Sequence, residues 1–217
     1  MRPSVDSKIC VSISEPSIES CMKELQGRKL AEIRFDRMSF RKEDVKRIFS
    51  SPAKLVATFR PGTANDETRL KTLVSAIEFG AAFVDIELES DSLYKKRIRE
   101  VARERGCKVI VSYHNHRSTP KADRLRKIID ACFESGADIA KIACFVNSEG
   151  DNVRLLSMLS DRRSIIVVGM GSKGAVTRIA TALLGSPFTY ASASTGKETA
   201  PGQINFEKMK RLIRSME

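Results

Sequence analysis

The chain of 217 residues is 41% hydrophobic and 30% charged, which excludes a disordered protein and suits one domain with a sizeable core over residues 1–217. It has no run of roughly 18 apolar residues that would form a membrane helix, no apolar signal segment, and no C-x-x-C pair among its five cysteines, so we expect a cytoplasmic protein with reduced thiols. The formal net charge of +11 is spread over segments where Lys and Arg alternate with Glu, which favours a solvated surface over a nucleic-acid partner.

Eight short apolar runs alternate with longer amphipathic segments along the chain. The runs are rich in Val, Ile and Phe, and several are apolar almost throughout, as is typical of strands that are buried on both faces. The predicted strands cover residues 9–13, 30–35, 54–59, 83–88, 108–113, 138–143, 164–169 and 188–191.

The segments between the predicted strands have helical periodicity. Apolar residues within 70–77 recur at the spacing of one helix face, residues 125–133 repeat the pattern, and a last helix is predicted over 206–216. Eight strand–helix units without a change in composition predict a single (β/α)8 TIM barrel. A doubly wound open sheet is the competing α/β fold, and it is disfavoured because no G-x-G-x-x-G motif follows the first strand.

Polar residues stand where five consecutive predicted strands end, which is where the chemistry of such barrels is located. Alternation places Glu32 and Arg34 on one face of the second strand, and Asp85 and Glu87 on one face of the fourth. Structural ion pairs would explain any one of these strands, but they explain five together poorly because charged groups inside a barrel are costly unless paired. The other three strand ends contribute Arg60, His114 and Lys141.

Lys141 is flanked by apolar residues, so its stem is expected to be buried. Burial and nearby cations such as Arg60 disfavour the charged form, and the free amine is a nucleophile for a carbonyl carbon. The alternative is a lysine in an internal salt bridge with Glu32 or Glu87, and position alone does not decide between the two. His114 favours the catalytic interpretation because an imidazole can take and return a proton near neutral pH.

The two histidines of the chain, His114 and His116, lie two residues apart, which would also suit a metal ion. No third ligand stands at a typical spacing, so no metal is expected. We therefore interpret His116 as a structural residue and reserve the acid–base role for His114.

The last two predicted strands are followed by glycine-rich segments. Residues 169–174 precede a predicted helix and suit an anion, and Arg178 on that helix is able to clamp a carboxylate. Residues 191–202 are rich in Ser, Thr and Gly, so they form either a mobile lid that excludes water or an inert linker.

Together, these segments resemble the type I 3-dehydroquinate dehydratases over nearly the whole chain. Each segment alone is common, but their order and spacing are specific to that family. The matching segments are EIRFD at 32–36, TFR at 58–60, VDIEL at 84–88, SYH at 112–114, ADIAKIA at 137–143 and APGQ at 200–203.

The resemblance implies the conversion of 3-dehydroquinate to 3-dehydroshikimate in the shikimate pathway, with a small-molecule substrate and no cofactor. It implies that Lys141 forms a Schiff base with the substrate ketone, that His114 is the general base and acid, and that Glu87 orients His114. It also makes a homodimer possible. The substrate-binding residues that it implies are Glu32, Arg34, Arg60, Arg178, Thr199 and Gln203.

Two other functions agree with parts of the sequence. Another Schiff-base barrel enzyme of the aldolase type would share the fold and Lys141, but it would not explain His114, Arg178 and Gln203 together. A basic nucleic-acid-binding protein would rest on the net charge alone, and it predicts salt-dependent binding to DNA or RNA. The resemblance therefore favours the dehydratase.

Overall fold

Strands and helices alternate along the computed structural model, which describes residues 4–217. The predicted domain also included residues 1–3, which lie outside the described residues. The strands are β1 (Ile9–Ile13), β2 (Leu30–Arg34), β3 (Lys54–Thr58), β4 (Phe83–Glu87), β5 (Lys108–Asn115), β6 (Ile139–Phe145), β7 (Ile165–Met170) and β8 (Thr189–Ser192). The helices are α1 (Ile18–Leu25), α2 (Lys42–Phe49), α3 (Asp66–Glu78), α4 (Ser92–Arg105), α5 (Ala122–Glu134), α6 (Glu149–Ser157), α7 (Ala175–Leu183) and α8 (Phe206–Arg214).

Each strand from β1 to β6 pairs in parallel with the next strand along the chain, and β8 returns to pair with β1. The strand order is β7-β6-β5-β4-β3-β2-β1-β8, a nearly closed ring in which a helix follows each strand. Right-handed strand–helix–strand connections produce such a ring when they are repeated in one direction. The predicted (β/α)8 TIM barrel is confirmed.

Several element ends differ from the prediction for local reasons. β2 ends at Arg34 because Phe35 is buried in a short 3-10 turn. β5 and β6 extend past their predicted ends because they remain paired as far as Asn115 and Cys144. The last helix ends at Arg214, since the residues after it are exposed and bury no apolar surface.

Local capping signals fix the lengths of the helices. Asn65 accepts a hydrogen bond from Thr68 N at 2.9 Å at the start of α3, and Leu73 and Ile77 of this helix are buried. α4 ends at Gly106, whose φ of 67° lies in the left-handed region that favours glycine. None of the helices within residues 4–217 is long and apolar enough to cross a membrane.

The interior of the barrel has an apolar lower half and a polar upper half. On strand after strand, an apolar inward residue is followed two positions later by a polar one, nearer the carboxyl end of the strand. The lower half is filled by Cys10, Leu30, Val56, Ile110, Ile139, Ile166 and Phe188. The upper half contains the buried polar residues Ser12, Glu32, Thr58, Asp85, Ser112, Lys141 and Ser192. Because buried polar groups are costly unless they are hydrogen-bonded, the upper half is the place to look for a function.

Candidate active site

A cavity of about 610 Å³ opens at the carboxyl ends of the strands. Its walls come from neighbouring strand ends, from α7 and from the segment after β8. The site residues predicted from the sequence all line it: Glu32, Arg34, Arg60, Glu87, His114, Lys141, Arg178, Thr199 and Gln203. The structure thus brings these residues together, whereas their chemical roles remain predictions.

Lys141 lies on β6 and reaches the cavity, although only 5% of the residue is exposed. Its amine donates a hydrogen bond to Asp85 Oδ2 at 2.9 Å, and Glu32 Oε1 is 3.8 Å away. The amine also faces the ring of Tyr190, with 4.3 Å between Nζ and the ring centroid. The internal salt bridge that the sequence left open is therefore present, with Asp85 as the closer partner.

Arg60 connects the carboxylates of Asp85 and Glu87. Its Nη1 donates to Asp85 Oδ1 at 2.9 Å, to Glu87 Oε1 at 2.7 Å and to Ser112 Oγ at 2.9 Å. Its Nη2 donates to Asp85 Oδ2 at 2.8 Å. Burial would raise the pKa of Asp85, but the charges of Arg60 and Lys141 hold that pKa well below its ordinary value. Asp85 is therefore a lasting negative charge beside the amine.

His114 and Glu87 form a second hydrogen-bonded pair, with 3.0 Å between His114 Nδ1 and Glu87 Oε2. Burial and the charge of Arg60 lower the pKa of His114, and Glu87 opposes them only in part. Burial raises the pKa of Glu87, but its hydrogen bond to His114 and the charge of Arg60 bring that pKa down to about 2. The result is an imidazole beside a carboxylate, which is suited to accepting a proton through Nε2.

The register of β5 against β6 sets the imidazole and the amine on neighbouring strands. Ser112 lies opposite Lys141, and His114 lies opposite Ala143. Residues two positions apart on a strand face the same side. His114 therefore stands one step, about 7 Å, nearer the cavity mouth than Lys141.

Glu32 and Arg34 share the inward face of β2. Glu32 accepts hydrogen bonds from the hydroxyls of Ser12 and Thr58, the latter at 2.9 Å. Arg34 forms a two-point ion pair with Asp36, with distances of 2.9 Å from Nε and 2.7 Å from Nη2. Burial raises the pKa of Asp36, but this pairing brings it below its ordinary value. The protein thus fixes the orientation of both cavity-lining side chains.

Arg178 differs from the other cavity arginines in its partners. It is fully buried on α7, and its Nη1 and Nη2 make long hydrogen bonds to the carbonyl oxygens of Tyr190 at 3.5 Å and Pro201 at 3.4 Å. Its Nε has no partner, and no carboxylate of residues 4–217 lies within ion-pair distance. Burial lowers its pKa to about 10. A buried guanidinium with unused donors matches an anionic group on a ligand.

The segment after β8 makes specific contacts at the mouth of the cavity. Thr199 Oγ1 is 3.0 Å from Ser12 Oγ, and Thr199 N donates to Gln203 Oε1 at 2.7 Å. These contacts favour a lid over the inert linker that the sequence left as an alternative. Movement of the segment stays a prediction.

The glycine-rich loop at 169–174 serves backbone packing. Gly169 N donates to Thr177 Oγ1 at 2.8 Å, and Gly171 N donates to Pro201 O at 3.1 Å. A Cβ on Gly169 would lie 2.9 Å from Gly174 Cα, so the two backbones meet closely. These amides are engaged within the protein, and the anion site suggested for this loop is better assigned to Arg178.

The residues that follow His114 have structural contacts. Asn115 Oδ1 accepts hydrogen bonds from the amides of Arg117 and Ser118 at 3.0 Å each and fixes the turn after β5. The ring of His116 lies at the cavity rim, 6.1 Å from the His114 ring and nearly parallel to it. In the described part of the chain, no group of three or more His, Cys, Asp and Glu side chains is arranged to bind a metal.

Sequence reasoning missed the polar and aromatic residues that orient the predicted ones. Asp85 did carry a signal, because it shares the inward face of β4 with Glu87, but β5 separates its strand from that of Lys141. Asp36 also stood in the EIRFD segment, but its pairing with Arg34 was not foreseen. The serines and the tyrosine had no signal, since either residue type in a strand is equally compatible with a structural position. The missed residues are Ser12, Asp36, Asp85, Ser112 and Tyr190.

Comparison with known proteins agrees with the resemblance seen in the sequence. The family described as Type I 3-dehydroquinase matches residues 9–217. A Methanocaldococcus jannaschii protein named 3-dehydroquinate dehydratase is 34% identical over 96% of this chain and 99% of its own length. Similar coverage from end to end indicates that the similarity is not confined to one motif.

Solved structures give the same picture. The 3-dehydroquinate dehydratase from Aquifex aeolicus superposes with a TM-score of 0.80 at 30% identity, covering 95% of this chain and 97% of that one. The type I 3-dehydroquinate dehydratase from Clostridium difficile has a TM-score of 0.85 at 24% identity and covers 97% and 92%, respectively. The second similarity supports the fold, and the first extends to the sequence.

Proposed function

Because this chain belongs to the type I 3-dehydroquinase family and is therefore a hydro-lyase, we propose that it dehydrates 3-dehydroquinate to 3-dehydroshikimate through a Schiff base on Lys141. This reaction is a step of the shikimate pathway of aromatic amino-acid biosynthesis. The observation that carries the proposal is a buried amine, Lys141, in the same cavity as the His114–Glu87 pair.

The first step forms the Schiff base. The uncharged amine of Lys141 adds to the C3 carbonyl carbon of the substrate, and departure of one water molecule leaves an iminium. The nitrogen is positively charged in the iminium. Asp85, 2.9 Å from the amine in the free enzyme, provides a fixed negative charge beside it.

The second step is the elimination. The iminium withdraws electrons and acidifies the protons on C2. With its own proton on Nδ1 donated to Glu87, His114 removes one C2 proton through Nε2 and then protonates the C1 hydroxyl, which leaves as water. Hydrolysis of the iminium consumes one water and regenerates the amine, so that the whole cycle releases one water.

Substrate binding is assigned to the polar residues around the amine. The carboxylate of the substrate fits Arg178, which has unused donors and no acidic partner among residues 4–217. Glu32 and Arg34 are placed to contact ring hydroxyls, because both are oriented by neighbouring side chains and line the cavity. Thr199 and Gln203 close the cavity from the segment after β8.

Borohydride trapping tests the Schiff base directly. Reduction during turnover should attach the substrate to Lys141, with the added mass located by peptide mapping, because hydride converts the iminium to a stable amine. Lys141→Ala should abolish both the adduct and turnover. Lys95→Ala, at a lysine outside the cavity that donates to Leu88 O, serves as the matched control and should retain both. An adduct on a different lysine would refute the assignment.

We further propose that two copies associate through the outer face of α7. Val176 and Leu183 are exposed on this helix, and the neighbouring α6 exposes Val153. These side chains are apolar, and burying them away from water would lower the free energy. A second copy offers the same uncharged surface, and a closed twofold pair would cover both.

A cytoplasmic location is also proposed. The five cysteines are all free and buried in the structure. Unpaired thiols fit a reducing compartment better than an oxidising one.

A further inference from the structure

The guanidinium of Arg60 is hydrogen-bonded to three other side chains of the cavity. The two N–H groups of Nη1 are shared among three acceptor atoms and Nη2 donates to a fourth, on the residues Asp85, Glu87 and Ser112, at 2.7 to 2.9 Å. The resemblance implied that Arg60 binds the substrate, and its Nε and one hydrogen of Nη2 make no hydrogen bond within residues 4–217. The contacts of the other donors indicate a second role, directed at the protein itself.

Arg178 provides the contrast within the same cavity. Its two hydrogen bonds are long, at 3.4 and 3.5 Å, both go to carbonyl oxygens, and its Nε has no partner. Arg178 thus contacts no acidic side chain within residues 4–217, whereas Arg60 binds two carboxylates and a hydroxyl of the site. Only Arg60 therefore connects other side chains of the cavity to one another.

We propose that Arg60 is a positioning residue that sets the separation between the nucleophile and the base. It binds Asp85, which binds the amine of Lys141, and it binds Glu87, which binds the imidazole of His114. One planar group therefore connects both halves of the catalytic machinery. The inference rests on the proposed function, because it concerns the two residues that the Schiff-base reaction uses.

The shape of the guanidinium is needed for this connection. Its planar fork reaches both oxygens of Asp85 and one oxygen of Glu87 at once, whereas a lysine would supply a single nitrogen. Lys at this position would keep the charge but could not reproduce the four contacts. The charge-conserving variant is therefore informative about geometry.

The test measures imine formation and proton removal separately in the variant Arg60→Lys. Imine formation is followed by single-turnover borohydride trapping on Lys141, and proton removal is followed by exchange of deuterium into C2. We expect both to slow, with kcat falling about 100-fold, the loss that a displacement of about 1 Å produces. Loss of a substrate contact alone would raise KM and leave both half-reactions unchanged at saturation.

Two variants, each of which disrupts one of the two pairs that Arg60 connects, and one control complete the design. Asp85→Asn should slow imine formation more than exchange, and Glu87→Gln should slow exchange more than imine formation. Arg69→Lys changes a buried arginine that contacts Phe59 O and Asp66 outside the cavity, so it should leave both half-reactions within about twofold. If Arg60→Lys affects only one half-reaction, Arg60 does not connect the Asp85–Lys141 pair with the Glu87–His114 pair.

The pH dependence of kcat/KM provides a second measurement, which a general loss of structure would not shift. The charged and titratable groups around His114 are Glu87 and Asp85 from β4, Lys141 from β6, His116 just after β5 and Arg60 after β3. Arg60→Gln removes a positive charge that disfavours the imidazolium. The acid limb of kcat/KM should therefore move to higher pH, and an unmoved limb would count against the proposal.

The failure of this inference is distinguishable from failure of the proposed function. If wild-type protein neither turns over 3-dehydroquinate nor gives an adduct on Lys141, the proposed function is wrong. If the wild type does both and Arg60→Lys, folded by circular dichroism, keeps both half-reaction rates, only the positioning role is refuted. Should Arg60→Lys fail to fold, the Asp85→Asn and Glu87→Gln pair decides the matter through the separation of their effects.

Discussion

The imidazole of His114 lies between two neighbours with opposite effects on its proton affinity. Arg60 and burial lower the pKa of His114, and the hydrogen bond and charge of Glu87 raise it. A general base must be uncharged to act, so kcat/KM should fall as the pH drops through the pKa of His114. Because that pKa is below its ordinary value, the enzyme should retain activity on the acid side of neutrality.

Glu87→Gln should move the acid limb in the direction opposite to that of Arg60→Gln. Loss of the carboxylate removes a group that raises the pKa of His114, so the limb should shift to lower pH. The plateau rate should fall by about 10- to 100-fold, because the imidazole loses the partner that orients it. The measurement is kcat/KM from pH 5 to 9, and a limb that moves upward would contradict the assigned electrostatics.

At this scale the sequence predicted which side chains share the cavity but not how they pair. Alternation along a strand shows that Asp85 and Glu87 point inward, yet their partners depend on the register between strands. Lys141 was considered against Glu32 or Glu87, and its nearest carboxylate is Asp85. Distances of this kind arise from three strands together, which no single segment of sequence encodes.

Besides the contact between Thr199 and Ser12, the segment after β8 has two further attachments to the barrel. Lys197 forms ion pairs with Glu15 at 2.8 Å and Glu24 at 2.7 Å. Gly202 has a φ of 75° and lies against the carbonyl of Gly171, where a Cβ would clash with the backbone. The second attachment is next to Gln203 and so determines how that side chain enters the cavity.

Gly202→Ala should therefore impair substrate binding. The new methyl group must displace the segment from Gly171, and the positive φ adds strain of about 1–3 kcal/mol. We expect kcat/KM to fall about tenfold, mainly through KM. Gly196→Ala is a matched control, because Gly196 has a φ of 84° in the same segment but nothing within 4 Å of its Cβ position. Equal losses in both variants would mean that the dihedral angle alone matters.

Elements were predicted well where their pattern is local. The spacing of apolar residues and the cap at Asn65 define α3 without help from the rest of the chain. The ends of β5 and β6 were set too early, because these strands continue as long as they pair with each other. The segment after β8 remained ambiguous in the sequence, since its contacts to Ser12 and Gly171 come from distant positions.

For the whole molecule, the repeated alternation of strand and helix was sufficient to predict the barrel. Eight similar units leave few other ways to bury eight apolar strands. The outer surface was less predictable: α7 exposes Val176 and Leu183, while its other face contains Arg178 and Thr177 directed inward. A helix with apolar residues on its exposed face and an arginine on its buried face does not reveal from its sequence which side another copy would cover.

The proposed homodimer leads to a direct test of mass. The wild type should elute from size exclusion with twice the chain mass of 24.1 kDa by light scattering. The double variant Val176→Lys, Leu183→Lys should be monomeric, because four buried charges across a twofold interface would be unpaired. Leu93→Lys, at an exposed leucine on α4, is the control and should not change the mass. A monomeric wild type would refute the dimer.

The division of the barrel interior into an apolar lower half and a polar upper half has an evolutionary consequence. Side chains such as Ile110 and Ile166 pack in the apolar lower half, whereas Ser112, two positions after Ile110, is hydrogen-bonded to the polar side chains of the cavity. Substitutions that alter substrate preference can therefore accumulate in the upper half while the lower half keeps the molecule folded. Directed evolution of this chain toward related hydroxy-ketones would be best confined to the upper half, with the residues of the lower half left unchanged.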